Sequence, residues 1–123
     1  MAFWNLFKKK NNKIRLIETN QQAQDVYGQA QSLYDKGDFT GAIVLYDSLL
    51  DSGHGNQYDL RLVRLQAYCK AARFSEAEQE AKQLLDVLKM GGAPVASSRV
   101  IYWYLLARYG GDEKKAMDEF VKL

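Results

Sequence analysis

Apolar residues return every three or four positions along most of the chain, and short breaks, all but one glycine-bearing, divide that rhythm into six segments of helical length. Thr19, followed three residues later by Gln22, has the form of a capping box and opens a first helix to about Lys36, where Gly37 can take the left-handed conformation that stops it. Asp38 or Thr40 caps a second helix through Leu50, with Ala42, Ile43, Tyr46, Leu49 and Leu50 on one stripe. After the break at Gly53-His54-Gly55-Asn56, a third helix spans Tyr58 to Ala72. Ser75 with Glu78 offers a second capping box for a fourth, from Ser75 to about Leu88. Gly91-Gly92-Ala93-Pro94 is the next break. A fifth helix starts at Ser97 or Ser98 and runs to Tyr109, and a sixth starts at Asp112 and ends at Leu123. The expected class is all-α.

One cassette recurs within this pattern. Tyr34-Asp35-Lys36-Gly37-Asp38-Phe39-Thr40-Gly41-Ala42 is echoed by Tyr68 to Ala77 and by Tyr109-Gly110-Gly111-Asp112 before Ala116. Each copy reads as helix, tight turn, helix, with a small residue soon after the turn. A helical hairpin cannot bury its apolar face alone, so copies are expected to stack and to leave a curved face for other molecules. Ala42, Ala77 and Ala116 stand 35 and 39 residues apart, with the aromatic one turn later present as Tyr46 and Phe120 and replaced by Ala81 in the middle copy. In these features the chain resembles the tetratricopeptide repeat (TPR) family, whose period is about 34 residues. The resemblance implies a right-handed superhelical stack of about three antiparallel hairpins over residues 19–123, behind a basic amphipathic arm of residues 1–18. The extra length of the third copy is expected in the connection between Gly91 and Ser98.

Composition narrows the chemistry. A chain of 123 residues with 47% hydrophobic content and one proline suits a single helical domain. Cys69 is the only cysteine, which rules out an internal disulfide and, in its apolar helical setting, reads as core packing. The net charge of +2 is uneven. Lys8, Lys9, Lys10, Lys13 and Arg15 face only Glu18 in the first twenty residues, a net of +4, while the remainder carries twelve basic against fourteen acidic residues, −2. No window approaches the ~18 apolar residues of a spanning helix, and the arm lacks the layout of a signal peptide, so a cytoplasmic protein is expected. His54 is the only histidine and reads as loop polarity; no metal site, catalytic triad or other enzyme chemistry is expected. Glu76, Glu78 and Glu80 read as a solvated helix face. The glycine pairs lack the Lys and Ser/Thr of a phosphate loop, and the body lacks a basic stripe, so neither a nucleotide cofactor nor nucleic acid is expected.

Binding is therefore the expected activity, with a protein as partner. In proteins the chain resembles, first helices line the inner surface; that correspondence places Tyr27, Gln31, Tyr34, Leu62, Gln66, Lys70, Ile101, Leu105, Arg108 and Tyr109 at the groove. The family's clamp for acidic C-termini uses Lys and Asn where Tyr27 and Gln31 stand, which implies that such tails do not bind. An amphipathic helix or extended segment with an apolar anchor fits better. Val100 to Ala107 is apolar around its circumference; either neighbouring helices cover it, or a partner or second copy does. The arm, with Phe3, Trp4 and Phe7 ahead of Lys8, Lys9 and Lys10, suits peripheral membrane contact, a cap on the repeats, or a disordered start. The leading expectation is an adaptor, scaffold or chaperone-like module within a larger assembly near the inner face of a membrane. A chaperone resembling those of secretion systems, and a structural subunit that self-assembles into a homo-oligomer, are the alternatives.

Overall fold

The fold follows from three hairpin turns, seen in a computed structural model that describes residues 17–91 and 94–123. Six helices occur among the described residues, and no strand: α1 (Asn20–Asp35), α2 (Phe39–Ser52), α3 (Gln57–Lys70), α4 (Phe74–Gly91), α5 (Pro94–Arg108) and α6 (Glu113–Phe120). The all-α expectation holds. The described chain falls into two compact units, one ending at Leu60 and one running Arg61–Leu123, with the boundary inside α3. No helix among the described residues is long and apolar enough to cross a membrane. Phe3, Trp4, Phe7, Lys8, Lys9 and Lys10 of the arm lie outside the described residues. Ile17, at 4% exposure, is already buried, two residues ahead of the boundary drawn from sequence.

In the first unit, the Thr19 hydroxyl accepts the Gln22 N–H at 3.1 Å, and the Gln22 side chain accepts the Thr19 N–H at 3.1 Å. That reciprocal pair satisfies two donors left over at the start of α1. Gly37, at φ 88°, lets the Asp38 N–H reach back to the Leu33 carbonyl at 2.8 Å, closing α1 and turning the chain into α2. Asp38 then caps α2 by accepting the Gly41 N–H at 2.9 Å. α2 packs on α1 through the predicted stripe: Ala42, Ile43, Tyr46 and Leu49 are buried, and Leu50 is half-buried. A cap that the sequence reading missed starts α3, where the Asn56 side chain accepts the Asp59 N–H at 3.0 Å.

In the second unit the same turn recurs twice. The Arg73 N–H bonds to the Tyr68 carbonyl at 2.8 Å around Ala72 at φ 60°, and the Gly111 N–H bonds to the Leu106 carbonyl at 2.8 Å around Gly110 at φ 62°. The third turn has one more residue, Gly111 at φ 90°, where a Cβ would stand 2.9 Å from the Phe74 ring. Only glycine meets both demands. Asp112 then caps α6 as expected, accepting the Lys115 N–H at 3.0 Å. α5 packs against both α4 and α6. Ala77, Ala81, Val100 and Ala116 are fully buried here, and Tyr102 meets Phe120 edge to face at 6.0 Å.

Three expectations are corrected. α4 starts at Phe74, with the Ala77 N–H on the Arg73 carbonyl, so Ser75 lies inside the first turn and is not a cap. α5 begins at Pro94 instead of Ser97 or Ser98, because proline's fixed φ and missing N–H carry no penalty at a first helical position. The extra length of the third copy goes largely into α4, with 18 residues against 14 in α2, and not into a long connection.

Ala42 and Ala77, both 0% exposed, leave no room for branching. Ala42→Leu or Ala77→Leu is expected to lower unfolding free energy by about 1–3 kcal/mol in urea titrations, against no change for an alanine outside the core. Ala72 is the one non-glycine residue described at positive φ. Ala72→Gly is expected to raise stability by about 1 kcal/mol, read as a higher urea midpoint at unchanged slope.

Candidate functional site

α1, Leu49 of α2, the loop residues His54 to Asn56 and the first turn of α3 line a pocket of about 700 Å³ in the first unit. Its size is that of a small-ligand or side-chain site. Ala23, Leu49 and Leu60, all buried, supply an apolar lining. Asn20, Gln24 and Asn56 bring carboxamides, Asp59 a carboxylate, and Tyr27 a ring that is 37% exposed. His54, expected as plain loop polarity, is half-buried here, and its Nδ1 lies 2.9 Å from Asn20 Oδ1. That bond ties the loop to the start of α1 and fixes the imidazole as part of the wall. Tyr27 alone among the expected groove residues lines this pocket.

Gln31 and Tyr34 serve the hairpin itself. The Tyr46 hydroxyl donates to the Gln31 carboxamide oxygen, and Tyr34 stands edge-on to Phe39 with ring centroids 5.1 Å apart. Burial, with Tyr27, Tyr34 and Asp35 nearby, pushes the Tyr46 hydroxyl well above the usual phenol range.

In the second unit, Leu62 is buried, Gln66, Ile101, Leu105 and Tyr109 are half-buried, and Lys70 and Arg108 are exposed. Arg108 donates to the Tyr104 hydroxyl at 3.0 Å, and Lys115 stands 5.2 Å over the Tyr109 ring. The left-handed residues Gly37, Ala72 and Gly110 give a structural register for the three copies. Ten and six residues before each stand Tyr27 and Gln31, Leu62 and Gln66, and Val100 and Tyr104. Ile101 and Leu105 therefore sit one position late. The tyrosines of the repeated cassette are likewise out of register: Tyr34, three residues before Gly37, corresponds to Cys69 and Ala107, whereas Tyr68 and Tyr109 stand four and one residues before Ala72 and Gly110.

Glu80 overturns the reading of a solvated acidic face. It is 6% exposed, with Arg61 Nε and Arg64 NH2 each 2.5 Å from its two oxygens, while Arg61 also donates to Gln83 at 3.0 Å. Two arginines on α3 thus hold one carboxylate of α4, an arrangement in which the carboxylate's burial is offset by charge-assisted bonds. Its sequence signal was present in the i, i+3 spacing of Arg61 and Arg64, but nothing local indicates that Glu80 turns inward. Glu76 behaves as expected, exposed and forked by Arg73 at 2.6 and 2.7 Å; that hydrogen bond holds its carboxyl below the usual range. Among the described residues, no group of three His, Cys, Asp or Glu side chains is placed to hold a metal ion.

Comparison with protein-family models, curated proteins and solved structures finds no match to the chain.

Cys69 is 7% exposed, with its sulfur 3.8 Å from the Trp103 carbonyl, and burial pushes its thiol from 9.0 up to about 12. The folded thiol holds its proton to higher pH than the unfolded one. Its contribution to stability is therefore present below about pH 9 and is lost as pH rises through about 12. Native protein at pH 8 is expected to react with iodoacetamide at least about a hundredfold more slowly than urea-unfolded protein, because the thiolate is the reactive form. Equal rates would show an accessible thiolate.

Proposed function

We propose that this chain is a TPR-like protein-interaction module, an adaptor or scaffold that holds a helical or extended partner segment on the face formed by its first helices. What carries the reading is the threefold turn: a left-handed residue, a bond from the residue after it to the carbonyl five back, and a fully buried alanine soon after, at Ala42, Ala77 and Ala116. Repetition of one supersecondary unit is the signature of stacked arrays, and stacked arrays present extended surfaces to macromolecules. On this reading the hairpins form a right-handed superhelix, with α1, α3 and α5 inward. Half-buried side chains in the second unit, among them Gln66, Tyr104 and Leu105, supply the mixed apolar and polar character that suits a protein partner. The module acts in the cytoplasm.

The test is affinity capture from native cytosolic and membrane fractions with wild type, Leu105→Glu and Lys70→Glu. Lys70 is exposed, so that variant keeps its fold where Leu105→Glu strains it. A protein retained by wild type and reduced about tenfold or more by either folded variant is the expected result. Retention by all three moves binding off this face, and retention of nothing above a blank matrix removes the interaction reading.

A further inference from the structure

The described part of the first unit, residues 17–60, is far more acidic than the chain as a whole. Between Ile17 and Leu60 stand seven carboxylates, Glu18 and six aspartates, against one cation, Lys36, for a net of −6 in a chain of net +2. Its pocket carries the same sign, since Asp59 is the one charged residue in the lining. No ion pair among the described residues engages Asp59 or Asp51. A concave site with carboxylate charge and no cation repels anionic ligands and draws cationic ones over several ångströms.

The lining narrows the ligand further. Leu49 and Leu60 give an apolar floor for one aliphatic side chain. Asn20 and Gln24 carry carboxamides, which both donate and accept, as the backbone of an extended peptide requires. Tyr27, in the same lining as Asp59, presents a partly exposed aromatic ring, a partner for an ammonium or guanidinium group. We infer that this pocket takes a lysine- or arginine-bearing peptide segment of a partner protein, anchored by one aliphatic side chain. The inference rests on the interaction reading above and names its partner chemistry, the reverse of a clamp for acidic tails.

The experiment is fluorescence anisotropy of the full chain with a labelled peptide of about twelve residues carrying lysines around a central leucine, and with its glutamate-for-lysine counterpart. The lysine peptide is expected to bind at least about tenfold more tightly, with affinity falling as salt rises. Asp59→Asn is expected to weaken it about three- to tenfold, whereas Asp51→Asn, which removes the same charge outside the pocket lining, changes it less than about twofold. Tyr27→Ala, at a partly exposed position, is a second variant and is expected to weaken binding about threefold or more. Equal affinity for the two peptides overturns the inference. So does an equal loss from Asp51→Asn and Asp59→Asn, which would reduce the effect to diffuse attraction. A full chain with Lys8, Lys9 and Lys10 changed to Glu that gains about tenfold in affinity would identify the chain's own arm as occupant and overturn a partner in trans. Failure here while capture still depends on Leu105 or Lys70 overturns only the partner chemistry; failure of both overturns the interaction reading as well.

Discussion

Everything regular in this protein depends on reversing a helix within three or four residues while keeping the last backbone carbonyls of the helix paired with donors. The last turn of a helix has carbonyls that no following N–H can reach along the helix. A left-handed residue swings the next N–H back to the carbonyl five positions earlier, and the same swing points the chain along the returning helix. Gly37, Ala72 and Gly110 perform that step. Because the returning helix starts so close to the one it leaves, its first inward position holds a methyl group and nothing larger, which accounts for Ala42, Ala77 and Ala116 at 0% exposure. Turn and alanine are one constraint expressed twice.

Around that shared frame the two units differ in how they treat polar groups. The first keeps its tyrosines partly polar in use: Tyr46 is fully buried, yet its hydroxyl reaches Gln31, and the α2–α3 loop is tied to α1 by His54 and Asn20. The second buries a charge. Glu80 is held by Arg61 and Arg64, and Arg73 stands 5.1 Å over the Tyr68 ring while forking Glu76. A buried pair of this kind adds little net stability against an apolar alternative, but removing either arginine leaves the buried Glu80 carboxylate undercompensated. Residues 17–60 are net acidic, whereas the second unit carries five arginines.

Local chemistry was readable from the chain. The Thr19 capping box, the Asp38 and Asp112 caps, the glycine stop at position 37 and the Ala42 to Leu49 stripe all rest on groups within four residues of one another, where propensity and hydrogen-bond reach act without help from the rest of the fold. The same locality explains the misreadings. Ser75 and Glu78 satisfy the capping-box pattern, but Arg73 leaves the second turn already positioned to start α4 a residue ahead of Ser75.

What the sequence by itself determined, then, is the class, the six helices, the places where the chain turns and the small residues those turns require. Tertiary structure alone decided the direction of Glu80, the use of His54 and Asn20 as a tie, the assembly of a pocket from Asn20, Tyr27, Leu49 and Asp59, and the one-residue slip that puts Val100 and Tyr104 where Ile101 and Leu105 were expected. The reason is separation along the chain. A cap or a left-handed stop is settled by neighbours, whereas Asn20 and His54 lie 34 residues apart and Arg61 and Glu80 lie 19 apart. Their meeting depends on how far each helix runs before it turns, because each residue added within a helix rotates every later side chain by about 100° around it.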